Sequence, residues 1–266
     1  MLAELLELSP SGVEEVDVDS EIVEFAVYGA AGEIPGLPAL RAVAGSALVE
    51  VTSSEIADDW AERWREFHRP LLLGDRLSVR PPWEPPAATA IDIVIDPGQA
   101  FGTGSHATTR LCLELLLELP KSGPAGAGVV DLGCGSGVLA IAAALLGWGQ
   151  VLALDNDPLS VEATTANASV NGVADLVHPR RFDLRREPVP AARLVLGNLL
   201  APLLRHWCAA LRSGAGTVPT ALIASGLLID EADGIAAEFV ELGMRERARR
   251  TRGDWAAVLL AIHPPQ

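Results

Sequence analysis

The chain has 266 residues, 49% of them hydrophobic and 21% charged, with a formal net charge of −15. These values indicate a globular chain that builds one large domain with a smaller one attached. The charge argues against a free-standing nucleic-acid binder, which would show a basic face, and suits a basic protein partner. The three cysteines are far apart and lack metal-ligand spacing, so we expect no metal site.

Targeting signals are not evident in the sequence. The N-terminal stretch MLAELLELSPSGVEEVDVD is acidic and lacks the basic segment of a signal peptide. No apolar run approaches the ~18 residues of a membrane span. Each cysteine lies in an apolar or glycine-rich stretch, which indicates buried thiols in a reducing compartment. We therefore expect a cytoplasmic protein without membrane contact.

The N-terminal third divides into two predicted parts. Residues 1–52 contain the helix-like LAELLEL and the strand-like EIVEFAVYG and SALVEVTS, which predict a small α+β domain. Residues 53–80 form a predicted linker, with a helix in EIADDWAERWREFHRP. The proline-rich RPPWEPP (Arg80–Pro86) predicts a rigid elbow, and a strand follows in ATAIDIVIDP.

Residues 81–266 predict an α/β domain in which strands and helices alternate from about residue 107 onward. This order is typical of βαβ units around a mostly parallel sheet, and nearly continuous apolar strands indicate helices on both faces. The predicted helices lie in ATTRLCLELLLEL, VLAIAAALLGWG, PLSVEATTANASV, PLLRHWCAAL and DEADGIAAEFVELG, and the predicted strands in GVVDL, QVLALD, LVHPRRF, ARLVLGNLL, TALIASG and WAAVLLAI.

The stretch VVDLGCGSG predicts a strand, a glycine turn and a helix start, an arrangement that lets a ligand approach the backbone. Gly133 and Gly135 follow a G-x-G-x-G spacing, because Val138 stands where a dinucleotide fingerprint has its third glycine. This spacing argues against an NAD-dependent oxidoreductase. Asp155 ends the next strand and can accept hydrogen bonds from ribose hydroxyls, so the pattern predicts an adenosine-type ligand.

Two further acids have local interpretations. Asp157 and Pro158 predict a helix start, and Asn171-Gly172 predicts its end, so Asp157 is assigned a structural role. Asp183 follows the next strand, where it would either meet an adenine amino group or remain a solvated loop acid.

Asn198 is a polar residue at the end of the apolar strand ARLVLGNLL. Ligands of open α/β sheets bind at the carboxyl ends of strands, which makes Asn198 a candidate site residue. The alternative is that Asn198 caps the helix that begins near Pro202.

Four segments together resemble a known family in order and spacing: DPGQAFGTGSHATTRLCLELL, DLGCGSGVLAIAA, LDNDP and GNLLAPL. The family is the S-adenosylmethionine-dependent ribosomal protein L11 methyltransferases, and the resemblance covers roughly residues 50–266. It implies a Rossmann-like class I methyltransferase fold with a seven-stranded, mostly parallel sheet. It also implies that the cofactor is S-adenosylmethionine and is contacted by Thr109, Gly133, Asp155 and Asn198, with Phe101 as a wall of the sulfonium pocket.

The resemblance implies transfer of methyl groups to lysine side chains or the N-terminal α-amine of a basic ribosomal protein, most directly L11. We hypothesise that Asn198 is catalytic and accepts a hydrogen bond from the amine. His106 is either a proton acceptor or a turn-stabilising residue, and we favour the second. The family's N-terminal domain begins with a strand, whereas this chain opens with a helix-like segment, so we expect either a truncated start or a reduced recognition domain. The family also has proline where this chain has Ala107.

Three alternatives differ in how the sequence bears on them. A nucleic-acid amino-methyltransferase would carry Asn/Asp-Pro-Pro-aromatic at the strand end, to stack a flipped base, whereas here Asn198 is followed by Leu199 and Leu200. A lysine methyltransferase acting on another protein and a non-catalytic S-adenosylmethionine-binding module both fit the composition and stay open.

Overall fold

The computed structural model describes residues 69–97, 106–119 and 128–262, and the backbone of residues 13–16 and 24–27. The chain divides into two compact units, Met1–Ala61 and Glu62–Gln266. In the first unit, strand β1 (Val13–Val16) pairs antiparallel with β2 (Glu24–Val27). β2 lies within the predicted strand EIVEFAVYG, whereas β1 was not expected. The helix-like LAELLEL, the strand-like SALVEVTS and the linker helix lie outside the described residues.

A three-stranded sheet opens the described part of the second unit, with strands β3 (Leu71–Leu73), β4 (Leu77–Arg80) and β5 (Ile91–Val94). β4 pairs antiparallel with β3 and parallel with β5. The predicted elbow therefore connects two strands of one sheet inside the second unit. Neither β3 nor β4 was expected, and both lie in the range assigned to the linker. The domain boundaries themselves stay predictions.

The main sheet has seven strands in the order β11-β12-β10-β9-β6-β7-β8. β12 is antiparallel to both of its neighbours, and every other neighbouring pair is parallel. The parallel strands β6 to β10 therefore end at one edge of the sheet, where ligands bind in open α/β folds. The strands are β6 (Val129–Leu132), β7 (Val151–Asp155), β8 (Val177–Arg181), β9 (Leu194–Asn198), β10 (Ala221–Leu228), β11 (Arg245–Arg252) and β12 (Trp255–Ala261).

Helices cover both faces of this sheet, as the continuous apolar strands predicted. One core contains side chains of α1 to α3, and the other contains side chains of α4 and α5. In the second core Trp207 and Phe239 are fully buried, and their ring centroids are 5.4 Å apart. The helices are α1 (Ala107–Glu118), α2 (Val138–Leu145), α3 (Pro158–Val170), α4 (Ala201–Arg212) and α5 (Ile229–Val240).

The edge strand β11 was missed, because its sequence RERARRTR has no apolar alternation. Two of its arginines pair with acids on the helices beside it. Arg249 contacts Asp233 on α5 at 2.6 Å, and Arg250 contacts Glu118 on α1 at 2.5 Å. Charged side chains are common on edge strands, where they discourage pairing with another chain. The other elements predicted from residue 107 onward are present.

Helix α3 begins and ends as its sequence predicted, since Asp157 Oδ1 accepts a hydrogen bond from Leu159 N at 3.0 Å and Asn171 is the C-cap. Asn171 also joins the helix to the small sheet. Its Oδ1 accepts from Val94 N at 2.8 Å, and its Nδ2 donates to Val94 O at 2.7 Å. The Asn171 side chain thus forms the hydrogen bonds that a neighbouring strand would otherwise form with the end of β5.

Replacing Asn171 by alanine is expected to lower the free energy of unfolding by about 1–3 kcal/mol, because the Val94 N–H and C=O lose their partners. Urea unfolding measures the change. The control is Ser169→Ala, on the exposed face of α3, which should stay within about 0.5 kcal/mol of wild type. Equal stability of the two variants would show that this side chain does not hold β5 to α3.

Candidate functional site

The turn that follows β6 has a backbone conformation that glycine adopts most readily. Gly133, Gly135 and Gly137 have φ angles of 69°, 53° and 82°. At Gly133 a Cβ would lie 2.5 Å from Leu199 Cδ2, so a side chain there would require the Leu199 side chain to move. The predicted glycine turn therefore exists, and it packs against the segment that follows β9.

Asp155 lies beside this turn at the end of β7, with its carboxylate held by two backbone N–H groups. Oδ2 accepts from Gly135 N at 2.9 Å, and Oδ1 accepts from Asp157 N at 3.0 Å. An ionised carboxylate can accept about four hydrogen bonds, so these two contacts orient Asp155 and leave acceptor capacity for hydroxyl donors. This arrangement suits the predicted contact with a ribose.

Asn198 and Thr109 are far apart in the sequence and adjacent in the structure. Asn198 is half-buried at the end of β9, and its Nδ2 lies 3.5 Å from Oγ1 of Thr109, which is fully buried in the first turn of α1. The amide oxygen of Asn198 is then the atom that can accept from a ligand or an amine. The capping alternative does not hold, because the N-cap of α4 is Leu200 and has no side-chain cap bond.

One pocket at the carboxyl ends of β6, β7 and β9 brings these segments together. Apolar walls and polar groups both line it: Leu132, Gly133, Leu154, Asp155, Asn156, Phe182, Asp183, Leu184, Arg185, Leu199 and Leu203. The Asp183 carboxylate accepts from Arg185 N at 3.0 Å and lies 3.3 Å from Arg186 Nε. Asp183 thus has both features that the sequence left open, a place at the pocket and a role in its own loop. Sequence reasoning did not single out Phe182 or Leu184.

His106 is the N-cap of α1, with its Nδ1 2.8 Å from Thr108 Oγ1. Its ring packs edge-on against Trp255, with centroids 5.0 Å apart. Burial lowers the pKa of His106, which favours the neutral ring at neutral pH. These contacts match the turn-stabilising role that we favoured. Phe101 lies outside the described residues, so its role as a pocket wall stays a prediction.

Asp131 is a buried acid under the glycine turn that the sequence analysis did not single out. Its Oδ2 accepts from Ala140 N at 3.0 Å, in the first turn of α2, while its Oδ1 has no hydrogen-bond partner among the described residues. The contact caps a helix whose own N-cap, Gly137, has no side chain. Desolvation raises the pKa of Asp131 to about 7. The sequence feature that could have identified Asp131 is an acidic residue within an otherwise apolar strand.

The family whose sequence model matches this chain is described as ribosomal protein L11 methyltransferase (PrmA), and the match covers residues 20–262. The chain belongs to this family. It is 39% identical over 220 residues to the ribosomal protein L11 methyltransferase of Pelotomaculum thermopropionicum, covering 82% of this chain and 70% of the relative. Identity with the enzyme of the same name from Pelobacter propionicus is 36% over 255 residues, 92% of this chain and 78% of the relative.

A solved structure agrees with these sequence matches. The crystal structure of ribosomal protein L11 methylase from Lactobacillus delbrueckii subsp. bulgaricus superposes with a TM-score of 0.62 at 27% identity, covering 73% of this chain and 98% of that one. Membership of the family confirms the resemblance seen in the sequence. The fold is that of a class I methyltransferase, the protein is an enzyme, and its cofactor is S-adenosylmethionine.

The described residues contain no group of three or more His, Cys, Asp or Glu side chains placed to hold a metal ion. Cys112, Cys134 and Cys208 are all buried, and none of them forms a disulfide. Within the described part of the chain, no helix has the length and apolar character needed to cross a membrane.

Asp131→Asn is expected to gain stability relative to wild type as the pH rises. An unfolded aspartate ionises near pH ~4, whereas Asp131 ionises at about 7 in the native state. Between these values the native state binds the extra proton, so the Asp131 contribution to wild-type stability falls with rising pH and becomes constant above the native pKa. The asparagine cannot ionise and does not lose this contribution.

Urea unfolding of both proteins at about pH 5 and about pH 8 measures the effect. The control is Asp175→Asn, which makes the same substitution at an exposed acid. A difference between Asp131→Asn and wild type that is the same at both pH values would contradict the assignment of a raised pKa to Asp131.

Proposed function

We propose that this protein transfers methyl groups from S-adenosylmethionine to amino groups of ribosomal protein L11, on lysine side chains, the N-terminal α-amine, or both. The observation that supports this most directly is the pocket at the carboxyl ends of β6, β7 and β9. It joins the glycine turn, Asp155 and the segment after Asn198 in one place. The relatives that share this chain's sequence over most of its length carry the same functional name.

Several of the described residues suit parts of the cofactor. Asp155 would bind the ribose, and the apolar side chains of Phe182 and Leu184 would contact the adenine. Gly133 is exposed and has no side chain, so its backbone is accessible to the methionine end. When bound, S-adenosylmethionine supplies a methyl group activated by its sulfonium sulfur.

Asn198 would orient the substrate amine. Its amide oxygen can accept an N–H bond while its Nδ2 faces Thr109, which fixes the direction of the nitrogen lone pair. Most of the rate enhancement then comes from positioning. A lysine with a pKa near ~10.4 costs roughly 4–5 kcal/mol to deprotonate at pH 7, and an α-amine near ~7.8 costs about 1 kcal/mol. A partly dry pocket lowers the pKa of the amine and offsets part of this cost.

The charge of the chain and its family both support this substrate class. A chain with a net charge of −15 complements a basic ribosomal protein, and such charges speed the encounter of the two proteins. We place this activity in the cytoplasm and expect no direct binding of nucleic acid. The enzyme would then act on L11 as a protein substrate.

Asp155→Ala is expected to weaken binding of S-adenosylhomocysteine about tenfold or more, because hydrogen bonds to a charged group are lost. Isothermal titration calorimetry measures the dissociation constant. The control is Asp175→Ala, at an exposed acid outside the pocket, which should bind as wild type does. Wild-type affinity in Asp155→Ala would contradict the proposed contact between Asp155 and the ribose.

Incubation of the purified protein with S-adenosylmethionine and free L11 is expected to raise the intact mass of L11 by whole methyl groups. Asn198→Ala should lower kcat by about 100-fold, because the amine loses its orienting acceptor, while the control Ser169→Ala should turn over as wild type does.

Unchanged turnover in Asn198→Ala would show that Asn198 is not catalytic. Cofactor binding by wild type without any mass gain in L11 would contradict the proposed substrate. The protein would then be incubated with a cell lysate. A mass gain in another protein would identify a methyltransferase with a different substrate, and the absence of any mass gain would indicate a non-catalytic cofactor-binding module.

A further inference from the structure

Strand β10 is irregular at the level of Asn198. Its pairing with β12 shifts register between Ala224 and Leu227. On the other side, Ser225 is the partner of Asn198 in the parallel pairing with β9. The irregularity therefore lies beside the last residue of β9, where the site begins. Bulges of this kind re-aim the neighbouring backbone and are common next to active sites.

Gly226 lets the backbone after Asn198 lie directly on this bulge. Its φ is 79°, and a Cβ there would lie 2.7 Å from Leu199 O and 3.0 Å from Leu199 N. These are backbone atoms, which cannot rotate away as a flexible side chain does. Leu199 N also donates to Ser225 O at 2.9 Å. The position of the peptide that follows Asn198 is thus set by Ser225 and Gly226.

The Ser225 side chain reaches the other half of the site. It is fully buried, and its Oγ donates to Thr108 O at 3.1 Å. That carbonyl belongs to the peptide bond joined to Thr109, in the first turn of α1. The serine therefore fixes the start of α1 relative to β10.

Ser225 and Gly226 contact the peptide after Asn198, and Ser225 also contacts the peptide before Thr109. The side chains of Asn198 and Thr109 are 3.5 Å apart. Neither Ser225 nor Gly226 lines the pocket, so any effect on the ligand must pass through their neighbours. We propose that Ser225 and Gly226 are positioning residues that hold Asn198 and Thr109 in the geometry needed for cofactor binding and methyl transfer. This inference rests on the proposed function of the same site.

A matched pair of serine variants tests the proposal. Ser78 in β4 is equally buried, and its Oγ bonds to Asp92 Oδ1 at 2.7 Å, away from the pocket. Ser225→Ala and Ser78→Ala each remove one buried hydroxyl, and both should lower Tm. Only Ser225→Ala should weaken S-adenosylhomocysteine binding, by about tenfold, and lower kcat at saturating cofactor by about tenfold. Calorimetry and the L11 methylation assay measure the two effects.

The proposal would be overturned if both variants had a lowered Tm but kept the wild-type affinity and kcat. Ser225 would then stabilise the core without positioning the site. Gly226→Ala should show the same weakened binding as Ser225→Ala. If Gly226→Ala does not fold, the comparison of the two serine variants decides alone. If wild type binds S-adenosylhomocysteine but does not methylate L11, the proposed function fails, and the affinity comparison still decides the positioning role.

Discussion

The turn between β6 and α2 is fixed by hydrogen bonds to the end of the neighbouring strand β7. Gly133 N and Cys134 N both donate to Leu154 O, at 2.8 and 3.1 Å, and Gly135 N donates to the Asp155 carboxylate. The turn and the acid therefore cannot move independently. Because parallel strands end at one edge, this lateral contact turns two sequence-distant segments into one binding surface.

A second set of contacts does the same for the other side of the pocket. The bulge in β10 holds the backbone after Asn198 and the first turn of α1. Asn167 on helix α3 contacts two further segments. Its Nδ2 donates to Ser136 O in the glycine turn at 2.9 Å, and its Oδ1 accepts from Asp96 N, which precedes α1 in the chain. Side chains that do not line the pocket thus set the shape of the site.

The sequence predicted those features that interrupt a regular pattern. Asp155 and Asn198 are polar residues that end apolar strands, so their places at the sheet edge followed from the strand assignments. Strand β11 could not be predicted, because its sequence has no apolar alternation, and the pairing of Arg249 with Asp233 and of Arg250 with Glu118 appears only in the folded chain. The role of Ser225 was equally hidden, since a serine in TALIASG gives no sign that its hydroxyl reaches Thr108, 117 residues away.

A crystal structure with bound S-adenosylhomocysteine tests the central claim most directly, namely that the carboxyl edge of the main sheet is the cofactor site. We expect the ribose hydroxyls to be hydrogen-bonded to Asp155, with the homocysteine end against Gly133 and Asn198. A ligand bound elsewhere, such as in the second pocket beside Asp75 and Arg76, would contradict it.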